Sequence, residues 1–471
     1  MAFWTAQHLG RVAQGRWLAP PADEALRITG VTIDSRAVEA GQLFIAVRGD
    51  RFDGHAFVAQ AVAAGAAMVI VSQPVETAAP PGGVLLVDDT VAALQRLARA
   101  YRQVLREGGV KVVAVTGSNG KTTTKQLIHA VLASTYTGTQ SPKSFNNQFG
   151  VPLTLLAASP EQDFVVAEVG MNHAGEIAPL AAILQPNVAV ITTIGCAHIG
   201  YLGSVEAIAQ EKGSLLRFIE PGGFAVIPAE LACASIVEQQ APAHARIVRF
   251  GYADLRDGES SIECGPCAAM TLASGVRVTL PMPGAHNVHN ALAAIAVGRC
   301  LGVSDEAAAR GLAAMPRPSM RLELSTIGTG AEAFTLLNDA YNANPDSVRT
   351  ALRTLEHLAR NGDYAGCTIV FADMLELGDT GPQEHRRVGT MIAQLDVPDA
   401  RAVLIGPLAT LTAEVLAQHW AADRLLVIPQ WNDRTPVEVA AFIRPGDLVL
   451  LKGSRGMALE RLLPALTTVT C

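Results

Sequence analysis

Long apolar runs are missing from this 471-residue chain, although 49% of it is hydrophobic. The longest, Ala56 to Val71, carries Gln60 and Gly65, so it falls short of a membrane span and reads as a helix running into a buried strand. The N-terminal stretch MAFWTAQHLGRVAQGRW lacks the basic start, apolar core and small-residue cleavage site of a signal peptide. A basic excess is missing too, since 36 Lys and Arg stand against 43 Asp and Glu, for a formal charge of -7. That balance argues against general affinity for nucleic acid or membrane surfaces, so any anionic ligand must be held by local devices. Cysteine is scarce: seven residues, an odd number, make no disulfide framework in a chain of this length and fit the reducing cytoplasm. Cys264-Gly265-Pro266-Cys267 has thioredoxin-type spacing, but its surroundings read as short strands joined by a Gly-Pro turn, without the strand-to-helix step. No G-x-G-x-x-G turn, internal repeat or low-complexity tract is found, which argues against a nicotinamide or flavin site.

What is present is alternation. The chain is too long for one core, and its pattern predicts an α/β protein of three domains. Residues 1–108 carry short strand-like runs (VTIDS, LFIAV, AMVIVS, VLLVDD) around AFVAQAVAAGA and end in a helix from Val91 to Leu105 and a Gly108-Gly109 boundary. Residues 109–316 read as a central mononucleotide-binding domain with buried strands KVVAVTG, DFVVAEVG and NVAVITTIG, hence a parallel sheet. Pro316 and Pro318 break any regular element, and residues 317–471 restart the alternation as a doubly wound, Rossmann-like domain.

Chemistry concentrates after the first central strand. Gly117-Ser118-Asn119-Gly120-Lys121-Thr122-Thr123 lies between a buried strand and an amphipathic helix, the setting a phosphate-cradling loop requires. Glycines allow backbone N–H groups to turn toward phosphates, the helix N-terminus adds partial positive charge, Lys121 adds a full one, and the Thr122 hydroxyl suits Mg²⁺. One departure is Val115, where the general Walker pattern has its first glycine. Glu168 ends one strand and His198 follows another, so both should reach the carboxyl edge of the sheet beside this loop and serve as metal ligands.

These residues resemble the Mur ligase family, whose phosphate loop TGSNGKTTT also lacks the first Walker glycine. Further matches run through nearly the whole chain: AEVGMNHAGEI, CAHIGYLG, AQEKGSLL, GAHNVHNA, MRLE and DAYNANPDS. The strings DSRAVEAGQLFIAVRGDRFDGHAF and GAAMVIV resemble the family's UDP-sugar-binding domain. SFNNQFGVPLTLL and ADMLELGD resemble the member that joins D-alanyl-D-alanine to UDP-N-acetylmuramoyl-tripeptide. The neighbouring, diamino-acid-adding member carries an Asp-Asn-Pro-Arg signature that this chain lacks, and it remains the closest alternative. A nucleotide-binding homologue without catalysis and a folylpolyglutamate synthase-like ligase are more distant ones.

The resemblance implies a cytoplasmic, monomeric, ATP- and Mg²⁺-using ligase of peptidoglycan precursor synthesis that proceeds through an acyl phosphate. It implies catalytic roles for Lys121, Glu168, His198, Lys212 and Arg321, with Thr122, Glu168, His198 and Lys212 around magnesium and Lys212 often carbamylated in the family. On the bare sequence Lys212 reads better as a solvated residue of the helix from Ser204 to Phe218, and the role comes from the resemblance alone. Asn287 and Asn290 would meet adenine, although Asn287 could instead cap its helix. Asp339 would accept from the ribose, with Asn342 and Asn344 at the same mouth. Ser35 and Arg36 would face the uridine, or form with Asp34 a turn and a surface ion pair. Asn146, Asn147, Lys452 and Ser454 would face the substrates. With the ATP and UDP ends on different domains, the site is expected to assemble on domain closure.

Overall fold

The computed structural model describes residues 2–49 and 52–468. The first sheet comprises β1 (Arg16–Ala19), β2 (Val31–Thr32), β3 (Leu43–Ile45), β4 (Met68–Val71) and β5 (Val84–Leu86), in the order β1-β5-β4-β3-β2. All its pairings are parallel except β1 with β5. β4 is buried at every residue, as a β-branched, wholly apolar run requires.

The helix Thr90–Glu107 leaves this domain capped by Asp89, whose carboxylate accepts from Val91 N and Ala92 N. It is more than a linker. Arg102 is buried and donates from Nε to Leu184 O at 2.7 Å and from Nη2 to Gln185 O at 3.0 Å, closing the carboxyl end of the helix Ile177–Leu184. Leu97, Tyr101 and Leu105 share one buried cluster with Leu9 and Leu43 of the first domain and with Val112 and Ala167 of the second. The first two domains therefore pack on a continuous apolar core.

The second sheet holds β6 (Lys111–Thr116), β7 (Gly138–Gln140), β8 (Phe164–Glu168), β9 (Val188–Ile191), β10 (Phe224–Pro228) and β11 (Arg246–Phe250), in the order β11-β10-β9-β6-β8-β7, all parallel. β6 is central, with β8 on one side and β9 on the other. Strand order reverses there, and the loops after β6, β8 and β9 diverge to open a crevice at the carboxyl edge. A small antiparallel sheet, β12 (Ile262–Glu263), β13 (Ala268–Thr271) and β14 (Arg277–Leu280), covers one side. The Cys264–Cys267 segment is the turn between β12 and β13, as its surroundings suggested, and no helix follows it.

The third sheet, β15 (Glu323–Ile327), β16 (Phe334–Asp339), β17 (Gly366–Ala372), β18 (Ala400–Ile405), β19 (Leu425–Ile428) and β20 (Asp447–Lys452), has the order β15-β16-β20-β17-β18-β19. Only β15 runs antiparallel. Separate apolar clusters cover its two faces, so it is doubly wound. Its carboxyl edge faces that of the second sheet, and a cavity of about 920 Å³ lies between them.

Candidate active site

The loop after β6 needs glycine at two places. Gly117 has φ +152 and a Cβ there would lie 1.9 Å from Thr192 Oγ1, while Gly120 has φ +79 and would meet Asn290 Oδ1 at 2.6 Å. The loop is tied to the end of β9. Ser118 N donates to Thr193 O at 2.8 Å, Asn119 N donates to Thr193 Oγ1 at 3.0 Å, and Ser118 Oγ donates to Gly195 O at 3.1 Å. The amides of Ser118 and Asn119 are thus engaged within the protein, although both residues line the cavity. The helix Lys121–Ala133 has no side-chain cap, so its first-turn N–H groups stay available, and residues 120–123 line the cavity. Lys121 reaches back with Nζ to Gly117 O at 2.9 Å, and burial pushes its pKa down against the pull of Glu168.

Glu168, buried at the end of β8, organises the next layer. Its Oε2 accepts from Thr122 Oγ1 at 2.8 Å, its Oε1 accepts from Asn146 Nδ2 at 2.8 Å, and its backbone N donates to Ser141 Oγ at 3.2 Å. Lys125, which the sequence reading missed, lies 3.8 Å from Glu168 Oε2 and donates to Ser141 O at 2.8 Å. A lysine one helical turn beyond Lys121 was the available signal. From the third domain Arg321 donates from Nη2 to Thr122 Oγ1 at 2.9 Å, and its guanidinium stacks 4.1 Å from the ring centre of Tyr341. Tyr341, whose hydroxyl binds Ser144 Oγ, was likewise missed although it stands inside DAYNANPDS. Asn147 lines the cavity, but its Oδ1 accepts from Phe149 N and Gly150 N at the start of the helix Gly150–Leu156.

Beyond β9, His198 adopts φ +65 and brings Nδ1 to 3.4 Å from Glu376 Oε2 without hydrogen-bond alignment. Burial, with Lys121 and Lys212 nearby, lowers its pKa to about 4, so the imidazole is neutral at pH 7 and competent as a ligand. Lys212, on the helix Val205–Gly213, is fully buried and its Nζ has no hydrogen-bond partner. Burial and Lys121 hold it well below the ordinary lysine pKa. The reading of Lys212 as a solvated residue is therefore wrong.

The helix Ala285–Cys300 starts from Gly284, which makes Asn287 its third residue and not its cap. Asn287 Nδ2 donates to Pro283 O at 2.7 Å, Asn290 Nδ2 donates to Asn287 Oδ1 at 3.3 Å, and both side chains line the cavity. Asp339 accepts from Leu322 N at 3.2 Å and pairs with Lys452 Nζ at 2.7 Å, and Lys452 also donates to Asn342 O at 2.6 Å. Asn342 Oδ1 accepts from Ala343 N at 2.9 Å and Arg455 N at 3.3 Å. Ser454 is buried behind this wall, accepting from Leu375 N at 2.9 Å, so its hydroxyl does not reach the cavity. Ser35 and Arg36 lie outside it as well. Arg36 binds Asp34 through Nε at 2.9 Å and Nη2 at 2.8 Å in an exposed turn, the plainer of the two expectations for that string.

The second and third domains are already in contact. Asn344 caps the helix Pro345–Asn361 and donates from Nδ2 to Asn119 Oδ1 at 2.8 Å, and Asp346 Oδ2 accepts from Cys196 N at 3.2 Å. A loop tucked under a helix N-terminus satisfies polar groups on both domains at once.

A phosphate loop on one parallel sheet, roofed by an arginine and an asparagine-rich loop from a second, defines a nucleotide-binding cleft between the second and third domains, and the chain belongs to the Mur ligase family. Three models of that family match it: the Mur ligase family catalytic domain over residues 27–102, the Mur ligase middle domain over 115–298 and the Mur ligase glutamate ligase domain over 320–455. Within the family it is similar to UDP-N-acetylmuramoyl-tripeptide--D-alanyl-D-alanine ligases. That of Bacillus subtilis is 38% identical over 97% of both chains, and that of Escherichia coli is 32% identical over 94% of both. A crystal structure of MurF from Acinetobacter baumannii superposes with a TM-score of 0.83 at 34% identity, covering 99% of each chain. A Thermotoga maritima MurF ligase in complex with ADP shares the fold at a TM-score of 0.73 and 24% identity, over 93% of this chain and 97% of that one.

Proposed function

We propose that this chain is an ATP-dependent ligase that joins D-alanyl-D-alanine to UDP-N-acetylmuramoyl-tripeptide, the reaction its relatives are named for. The observation that carries the mechanism is the convergence of Thr122, Glu168 and Arg321, from three segments and two domains, beside the phosphate loop. Amide formation in water is uphill. A carboxylate oxygen of the tripeptide first attacks the γ-phosphorus of ATP and ADP leaves; the neutral amine nitrogen then attacks the acyl carbon, inorganic phosphate leaves with the C–O bond electrons, and the nitrogen releases a proton to give the amide.

The residues act by position and charge. At the phosphate loop, Lys121 and Arg321 would offset the charge that builds on the equatorial phosphoryl oxygens, and the first-turn amides of the helix Lys121–Ala133 would add oriented dipoles. Among the described residues no three His, Cys, Asp or Glu side chains are gathered to hold a metal on their own. That agrees with Mg²⁺, which takes one or two protein oxygens and fills its shell with phosphates and water. Thr122 and Glu168 would hold it, and it would neutralise phosphate charge. Neutral His198 is suited to a second ion. The orphaned, deprotonation-prone amine of Lys212 is the chemical form that adds CO₂, which supports a carbamate there. Buried Asn287 and Asn290 offer amides for adenine and Asp339 a carboxylate for ribose hydroxyls. The domain boundaries near 108 and 316 divide the substrates, with the UDP end on the first domain, where Ser35 and Arg36 remain candidates.

The test is phosphate release from ATP and Mg²⁺ with UDP-N-acetylmuramoyl-tripeptide, with and without D-alanyl-D-alanine. Dipeptide-dependent release is expected. Release that instead requires a diamino acid and the UDP-dipeptide would assign the chain to the neighbouring step, and none with any amine would overturn the ligase reading.

A further inference from the structure

Three cations gather around Thr122 and Glu168, and one of them does not reach the cavity. Lys121 and Arg321 line it, whereas Lys125 lies behind its wall, one helical turn beyond Lys121, with a side chain only 2% exposed. An ammonium carries three donors. Two of them go to the carbonyls of Ser141 and Lys143, and the remaining charge faces Glu168, whose Oε2 is 3.8 Å from Nζ. Among the described residues Glu168 forms no other ion pair; Lys121 attracts it from farther off, and Arg321 repels both lysines.

Burying an ammonium is costly, and a neutral amide would tie two carbonyls at a smaller cost. What an amide would not do is balance a carboxylate that is itself 1% exposed. The hydrogen-bond donors on that carboxylate, Thr122 and Asn146, are both neutral. Lys125 therefore supplies the nearest positive charge to the oxygen that faces Thr122, from a position where it has no substrate to serve. Magnesium held by Thr122 and Glu168 would bring two more positive charges to the same carboxylate, and like charges at short range in a buried site repel.

We infer that Lys125 is a positioning residue that stands in for magnesium at Glu168, balancing the carboxylate while the metal is away and limiting how tightly the metal is held. The inference rests on the reading of Thr122 and Glu168 as metal ligands. It gives the buried charge a purpose, since a metal that enters with ATP must also leave after each turnover. The rival reading is a tie. Lys143 has φ +43, a strained conformation for a residue with a side chain, and Lys125 holds the carbonyls on either side of that strain.

Two variants separate the readings. Lys125→Gln removes the charge and keeps a donor for the carbonyls, and Lys125→Met removes both. The measurement is calorimetric binding of β,γ-methylene ATP with and without Mg²⁺, expressed as the ratio of the two Kd values, which reports the coupling between metal and nucleotide. With the repulsion gone, both variants should raise that ratio about 10-fold or more above the wild type. The rise in urea midpoint brought by Mg²⁺ and the analogue together should likewise be larger in Lys125→Gln than in the wild type. A ratio that stays at the wild-type level in Lys125→Gln, or that falls in either variant, would overturn the inference and leave Lys125 as a tie for residues 141–143. A wild type that binds the analogue no more tightly with Mg²⁺ than without it would instead overturn the metal reading on which the inference depends.

Discussion

Replacing Glu168 by Gln separates the folding role of this residue from its chemical one. In the native arrangement both carboxylate oxygens accept hydrogen bonds, from Asn146 Nδ2 and Thr122 Oγ1 at 2.8 Å each. Glutamine can accept from Asn146 through Oε1 and donate from Nε2 to Thr122 Oγ1 only if that hydroxyl reverses from donor to acceptor, so a charge-assisted bond is replaced by a neutral one at a cost of about 1–2 kcal/mol. The carboxylate also faces Lys125 at 3.8 Å. At an effective dielectric of 20 that attraction is about 4 kcal/mol gross, but burying an amide costs less than burying a carboxylate, so most of it is offset. Lys125 keeps its bond to Ser141 O, which limits the damage further. A net loss of about 1–3 kcal/mol in urea unfolding is expected, leaving a folded enzyme. Phosphate release should nevertheless fall by about 100- to 1,000-fold, because the lost charge would act on phosphate and magnesium during transfer. The assay is steady-state phosphate release across a magnesium titration, beside equilibrium unfolding. Retention of more than a tenth of wild-type kcat at every magnesium concentration would refute this reasoning, as would unfolding of the variant at room temperature.

Lys212→Met should be as stable as the wild type or more stable by about 1–2 kcal/mol, since it removes a buried, unpartnered amine, while ligase activity falls by at least 100-fold; equal activity would exclude a role for the amine. Gly120→Ala meets both a left-handed φ and Asn290 Oδ1 at 2.6 Å, so a loss of about 2–4 kcal/mol and a KM for ATP raised more than tenfold are expected from unfolding and kinetics. His286, lowered from 6.5 to about 4 by burial and by Lys452, stays neutral in the folded chain while the unfolded chain takes up its proton. Stability should therefore decline as pH falls from about 6.5 toward 4, by about 2 kcal/mol allowing for its partial exposure, and His286→Gln should flatten that decline in urea midpoints measured across the window.

The signals that needed no tertiary structure were those written in neighbouring residues. Gly117 to Thr123 between a buried strand and a helix specified the phosphate loop, because strained backbone and a helix N-terminus leave a local trace. Alternating apolar strands and helices specified parallel sheets for the same reason. What only the tertiary structure decided was which polar groups remain free. Sequence reading set Lys452 and Ser454 toward the substrate, yet both lie on a strand end where Asp339 and Leu375 satisfy them. For Lys212 the bare sequence favoured solvent and only the resemblance assigned it to the site; the packing of its helix buries the amine without a partner. It treated Asn287 as a possible cap, and the helix begins two residues earlier, at Ala285. Lys125 stood one turn beyond Lys121, and Tyr341 and Glu376 stood inside DAYNANPDS and ADMLELGD, yet none could be singled out, because each gains its meaning from a partner in another segment, two of them across the domain boundary. Hydrogen-bond satisfaction is a property of the assembled neighbourhood, and no window of sequence contains it.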